Sequence, residues 1–108
     1  MPREIRQVIF AVEEVVAALR DYAGRSGRPL PFAVRAELAA GAEGKPAVRL
    51  VPAGTDGAGG PARSFAGDAL LAPLLLHCRR RRIPLPVRAE KRLDIVEGEL
   101  ALILSMRQ

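Results

Sequence analysis

The chain has one cysteine, one histidine, no tryptophan, three phenylalanines and one tyrosine. Each shortage excludes something. A lone Cys78 cannot close an intrachain disulfide, and a four-cysteine zinc site is out of reach. With a single His beside that Cys, a catalytic zinc site made of protein ligands is not expected. We expect no metal and no cofactor. The aromatic side chains Phe10, Tyr22, Phe32 and Phe65 are too few to fill a core, so Leu, Val, Ile and Ala must do it. The longest apolar run, Ala69 to Leu76, falls far short of the roughly 20 residues a membrane helix needs. The opening MPREIRQVIF lacks the apolar centre of a signal peptide. A soluble cytoplasmic protein with no membrane partner is expected.

Signatures of catalysis are scarce too. No glycine-rich phosphate loop follows a strand and opens a helix. Gly54-Thr55-Asp56-Gly57 spells a GxxG phosphate clamp, but it lies between two expected strands, whereas that clamp joins helices. Glu13–Glu14 and Glu97–Glu99 are the close carboxylate pairs; a helix start and a hairpin turn account for them. His77 and Cys78 are neighbours on an expected helix and point about 100° apart, so they cannot form a nucleophile–base dyad with each other. Core packing for Cys78 and an edge position for His77 are the better reading. Nothing argues for an enzyme, and no catalytic residue is assigned.

What is present is a repeat. Phe10 to Pro31, FAVEEVVAALRDYAGRSGRPLP, falls without a gap on Phe65 to Pro86, FAGDALLAPLLLHCRRRRIPLP. Identities include Phe10/Phe65, Leu19/Leu74, Arg25/Arg80 and Pro29-Leu30-Pro31/Pro84-Leu85-Pro86. An apolar strand end, a helical stripe and a Pro-Leu-Pro stop recurring in one order indicate an internal duplication. At 108 residues the chain suits one domain sharing one core, with repeats at about 4–52 and 61–106 joined by a Gly-rich loop, 52–61.

Each repeat reads as strand, helix, hairpin. Ile5 to Phe10 is a strand. Val12, Val15, Val16, Leu19, Tyr22 and Ala23 form a stripe of 3.6-residue period, with Ser26-Gly27 as its stop. Phe32–Ala40 and Ala47–Val51 alternate apolar and charged residues about a Gly41–Gly44 turn. In the second repeat a strand around Arg63–Phe65 precedes a helix with Asp68 as expected N-cap. Pro73 implies a helix start nearby, or a bend. Arg92–Val96 and Glu99–Ser105 make the last hairpin, turning at Glu97-Gly98. The tetrad Val-Arg-Ala-Glu, at Val34–Glu37 and Val87–Glu90, breaks the register and implies loops of different length after Pro-Leu-Pro. The fold class is α+β: two helices packed on a mostly antiparallel sheet. The Pro-Leu-Pro segments are helix stops rather than polyproline ligands.

Net charge is +5, and it is concentrated. Arg79, Arg80, Arg81, Arg82, Arg88, Lys91 and Arg92 stand against Glu90 alone, while the rest of the chain is near neutral. Such a cluster suits phosphates or another anion. Consecutive arginines fan about a helix, however, and no aromatic strip, helix-turn-helix or zinc ligand set accompanies them. A solvated helix end that complements the dipole is the plainer account. The apolar face of the second helix is wider than that of the first, which marks Leu71, Leu75 and Leu76 as interface candidates. The expectation is therefore a small non-enzymatic module that self-associates or docks a protein partner, with nucleic-acid binding through the arginine cluster as the alternative.

Overall fold

A computed structural model of the chain describes residues 3–30, 34–52 and 62–107. The Gly-rich loop and its GxxG lie outside these residues, as do Pro31 and Phe32. The elements are β1 (Arg3–Phe10), α1 (Val12–Arg25), β2 (Val34–Ala40), β3 (Pro46–Pro52), β4 (Arg63–Ala66), α2 (Asp68–Arg80), β5 (Glu90–Val96) and β6 (Glu99–Arg107). The class is α+β, with every strand pair antiparallel.

The strands form two sheets, with orders β1-β6-β5 and β2-β3-β4. The order strand–helix–hairpin thus occurs twice, and each opening strand joins the hairpin of the other half. β1 pairs with β6 from Arg3↔Arg107 to Phe10↔Leu100, and β4 pairs with β3 around Val48↔Phe65. One buried cluster draws on both halves. It includes Val15, Ala18, Leu19 and Ala23 of α1 and Leu70, Leu74 and Cys78 of α2. From the strands it takes Phe10, Val48, Leu50, Leu100, Leu102 and Leu104.

The helices explain how the sequence pattern becomes packing. The residues that α1 buries, Val15, Ala18, Leu19 and Ala23, correspond one by one to Leu70, Pro73, Leu74 and Cys78, which α2 buries. Two ends of the first stripe are nevertheless exposed, Val12 at 58 % and Tyr22 at 37 %. In α1, Glu14 Oε1 accepts the backbone N–H of Ala11 at 3.2 Å, satisfying one orphan donor of the first turn.

Two expectations change in α2. It begins at Asp68 and carries Pro73 within it. The N-cap is Gly67 at φ +57°, with Asp68 in the first turn. Pro73 is accommodated with its ring fully buried where α1 presents the small Ala17 and Ala18; that burial offsets part of the cost of the missing N–H.

The hairpins follow local rules. Glu97 (φ +51°) and Gly98 (φ +79°) link Val96 to Glu99, the twin positive φ of a type I′ turn. The first hairpin uses a longer connection, with Glu43 at φ +59° and Gly44 at φ +73°. Val34 opens β2, whereas Val87 and Arg88 precede β5, so the repeated tetrad occupies different structural places in the two halves. In β6 the alternation expected for a half-buried strand is absent, since Ala101 and Ile103 are buried along with Leu100, Leu102 and Leu104. β6 is the central strand of its sheet, and on its other face Ile9 and Asp94 flank Ala101 while Gln7 and Arg92 flank Ile103. Among the described residues no helix is long and apolar enough to cross a membrane.

Candidate functional site

The arginine run sits where α2 ends. Arg81 is the C-cap, and the N–H of Ile83 donates to the carbonyl of Cys78 at 2.9 Å while that of Arg82 donates to Arg79 at 3.2 Å. This is a Schellman closure, which requires a left-handed residue at the position Arg82 holds, at φ +58°. α1 closes the same way: Arg28 N–H donates to Ala23 at 3.0 Å, Gly27 N–H to Gly24 at 3.3 Å, and Gly27 has φ +77°. Glycine fills that conformation freely, and arginine does so at a cost of about 1 kcal/mol.

The closure sorts the arginines by side. Arg80 and Arg81 flank a hollow between the helices, with Ala17, Ala18, Asp21, Pro73 and His77. There Asp21 binds Arg80 at 3.1 Å and Arg25 at 3.4 Å. Arg79, in the last turn of α2, and Arg82, beyond its C-cap, lie on a second side. With Lys91 they rim a groove whose floor is Leu75, Ile83, Pro84, Leu85 and Val87. Val87 is 93 % exposed.

Charge compensation differs across the seven predicted cations. Arg80 is neutralised by Asp21, and Arg92 by Asp94 at 3.5 Å. Lys91 Nζ donates to the carbonyls of Pro86 (3.3 Å) and Ala89 (3.1 Å), which fixes the turn before β5 without cancelling its charge. The side chains of Arg79, Arg81, Arg82 and Arg88 are exposed and form no hydrogen bond or ion pair among the described residues. Among the described residues no carboxylate lines the groove. The corresponding residues of the first half are Arg20, Gly24, Gly27 and Arg28 in place of Leu75, Arg79, Arg82 and Ile83. This combination of aliphatic floor and cationic rim therefore belongs to the second half only.

Of the apolar candidates, Leu71 and Leu75 are half-buried and pack against the core cluster, Leu75 also contributing to the groove. Leu76 is half-buried and lies outside that cluster. The remaining floor residues, Ile83, Leu85 and Val87, were carried in the sequence by a segment that reads first as a helix stop.

The second concentration of polar groups is at the helix–helix contact. His77 Nε2 lies 3.6 Å from Glu14 Oε2, too far for a hydrogen bond, and is buried with no partner. Its ring meets Phe10 at a centroid distance of 6.4 Å, tilted by 59°. Cys78 is fully buried, and burial, reinforced by the Glu14 carboxylate, pushes its thiol above the ordinary value. A thiol so held stays protonated and is a poor nucleophile. The approach of Glu14 to His77 joins residues far apart in sequence, and no spacing signals it. Among the described residues no three His, Cys, Asp or Glu side chains are grouped to hold a metal. Compared with protein-family models, curated proteins and solved structures, the chain has no match.

Proposed function

We propose that the chain is a small, cytoplasmic, non-enzymatic protein–protein interaction module, a single domain of two repeats. Its docking surface is the groove between the end of α2 and the segment leading to β5, and its partner presents a segment of aliphatic and acidic residues. The observation that carries this reading is the chemistry of one groove. An aliphatic floor that includes the exposed Val87 lies between three cations, Arg79, Arg82 and Lys91, with no acid among the lining residues. Aliphatic side chains entering the floor gain about 25 cal/mol for each Å² removed from water. Carboxylates beside them meet guanidinium groups that have no counter-charge of their own, which favours an acidic partner and speeds its arrival. Among the described residues the floor holds no aromatic ring on which a base would stack, which ranks a peptide above a nucleic acid.

The test is fluorescence anisotropy with a labelled peptide alternating Leu and Glu. Mixed-sequence RNA and DNA, single- and double-stranded, are titrated in parallel across a salt series. Arg79→Ser with Arg82→Ser, and separately Val87→Ser, are run beside the wild type. The reading expects peptide binding that both variants weaken. Nucleic-acid binding with a steep salt slope, flattened by the arginine variant and indifferent to Val87→Ser, would instead put phosphate recognition in first place. Failure of every probe to bind overturns the groove as a docking surface.

A further inference from the structure

The two sheets leave four outer strands, β1 and β5 in one and β2 and β4 in the other. An open strand edge is a template for another strand, and proteins blunt such edges with shortness or charge. Three of the four are blunted. β4 has four residues. β2 turns Arg35 and Glu37 to its solvent face, and Glu37 there accepts from Arg35 (3.2 Å) and Arg49 (3.1 Å). β5 places Glu90, Arg92 and Asp94 on the face away from the core. β1 differs. It has eight residues, and the same face carries Ile5, Gln7 and Ile9, with a single charge, Arg3, at its far end; the two isoleucines are 55 % and 40 % exposed. Among the described residues its second edge is paired with no strand.

We propose that β1 pairs antiparallel with β1 of a second copy of this chain, about a two-fold axis at Gln7. This surface is separate from the groove and does not rest on the reading of it.

The register follows from side-chain chemistry. Directly opposed residues of an antiparallel pair share a face. Odd-numbered β1 residues must therefore oppose odd-numbered ones, or the core face and the open face would mix. An axis at Arg6 sets that guanidinium directly against its own copy. Axes at Ile5 or Val8 leave three of the eight strand residues without a mate, against one for an axis at Arg6 or Gln7. The axis at Gln7 opposes Ile5 with Ile9 of the second copy, twice over by symmetry, and sets Gln7 against Gln7. Arg6, already held by Glu4 at 3.0 Å, then faces Val8. The isoleucines extend an apolar strip that Ala101 and Ile103 begin on β6, so the β1-β6-β5 sheet continues through the axis into its copy. An interface of this kind is isologous and closes as a dimer.

Light scattering on a size-exclusion column, over a dilution series of the full chain without ligand, reads the mass. The wild type is expected at twice the monomer mass when concentrated. Ile5→Lys with Ile9→Lys, both on exposed positions, is expected at monomer mass with an unchanged circular dichroism spectrum. The register is read separately by disulfide trapping, where the buried Cys78 does not interfere. Opposed strand residues have Cα atoms about 4.5–5.5 Å apart, within bridging range. Gln7→Cys should therefore cross-link to itself on mild oxidation. Ile5→Cys should not, but should cross-link when mixed with Ile9→Cys. A wild type at monomer mass throughout overturns the proposal. So does a dimer indifferent to the lysine pair, or self-cross-linking of Ile5→Cys in place of Gln7→Cys.

Discussion

Arg82 ends α2 in the backbone conformation with which Gly27 ends α1, at φ +58° against +77°. The same two backbone hydrogen bonds close both helices, and only one of the two residues is suited to the geometry. The strain sits on a side chain that rims the groove.

Replacing Arg82 with Gly should therefore raise stability by about 0.5–1 kcal/mol, since the left-handed penalty is removed and part of it returns as glycine's greater unfolded entropy. Chemical denaturation measures the gain. Anisotropy with the Leu/Glu peptide should show weaker binding in the same variant. Stability and docking moving in opposite directions is the expected signature.

Pro73 invites a second comparison. Its ring is fully buried and its missing N–H leaves a gap in the helical ladder of α2. Pro73→Ala restores that donor and the better helix former, a change of about 3 kcal/mol in an unconstrained helix. It also removes two buried ring carbons, at about 0.8 kcal/mol each. The net is a gain of about 1 kcal/mol, read as a higher denaturation midpoint with unchanged slope.

Cys78 should resist modification. Its burial predicts that a thiol reagent at pH 8 labels the native chain far more slowly than the denatured one. A titration should also show it. The folded thiol ionises above its ordinary value of 9.0, so the unfolded chain loses its proton first. The contribution is fully present below that value and is lost as pH rises through the folded pKa. Wild type minus Cys78→Ala, followed by denaturation from pH 8 upward, should show this decline, because the other titrating groups contribute equally to both proteins and cancel in the difference.

His77 carries an unpartnered, buried Nε2. His77→Phe keeps a ring against Phe10 and removes the orphan acceptor or donor, whose burial costs about 1–3 kcal/mol. At pH 8 the variant should be at least as stable as the wild type, with thermal denaturation as the measurement. A loss of more than about 1 kcal/mol would mean that the approach of Glu14 stabilises the helix pair.

Local features were legible in the sequence where one element decides them. Val15 and Leu19, like Leu70 and Leu74, are buried because a 3.6-residue stripe has only one face to turn inward. Glu97-Gly98 turns where Gly98 takes positive φ without strain. Helical geometry separates Arg79 from Arg80, whereas Arg81 and Arg82 are placed by the helix end. Features that depend on two elements meeting were not legible. The β-branched and aromatic residues of Ile5–Phe10 suit either hairpin, so nothing in them selects β6 as partner or divides the strands into two sheets. Ala101 and Ile103 read as outward residues until neighbours on both sides close over them. Asp21 has no sequence relation to Arg80, yet it decides which arginine is compensated and which remain open. The groove was half visible: its cations stood out by charge, whereas Ile83, Leu85 and Val87 were absorbed into the reading of a helix stop.

The exchange of hairpins sets an order of events on the ribosome. β2, β3 and β4 emerge in succession, and their sheet is complete once Ala66 has left the exit tunnel. Of the described strands β1 emerges before the others and has to wait for β6 before it can form its ladder within the chain. Through most of synthesis the nascent chain therefore carries an unpaired strand bearing Ile5, Val8 and Ile9. An exposed apolar strand of this kind is what chaperones bind and what aggregation recruits.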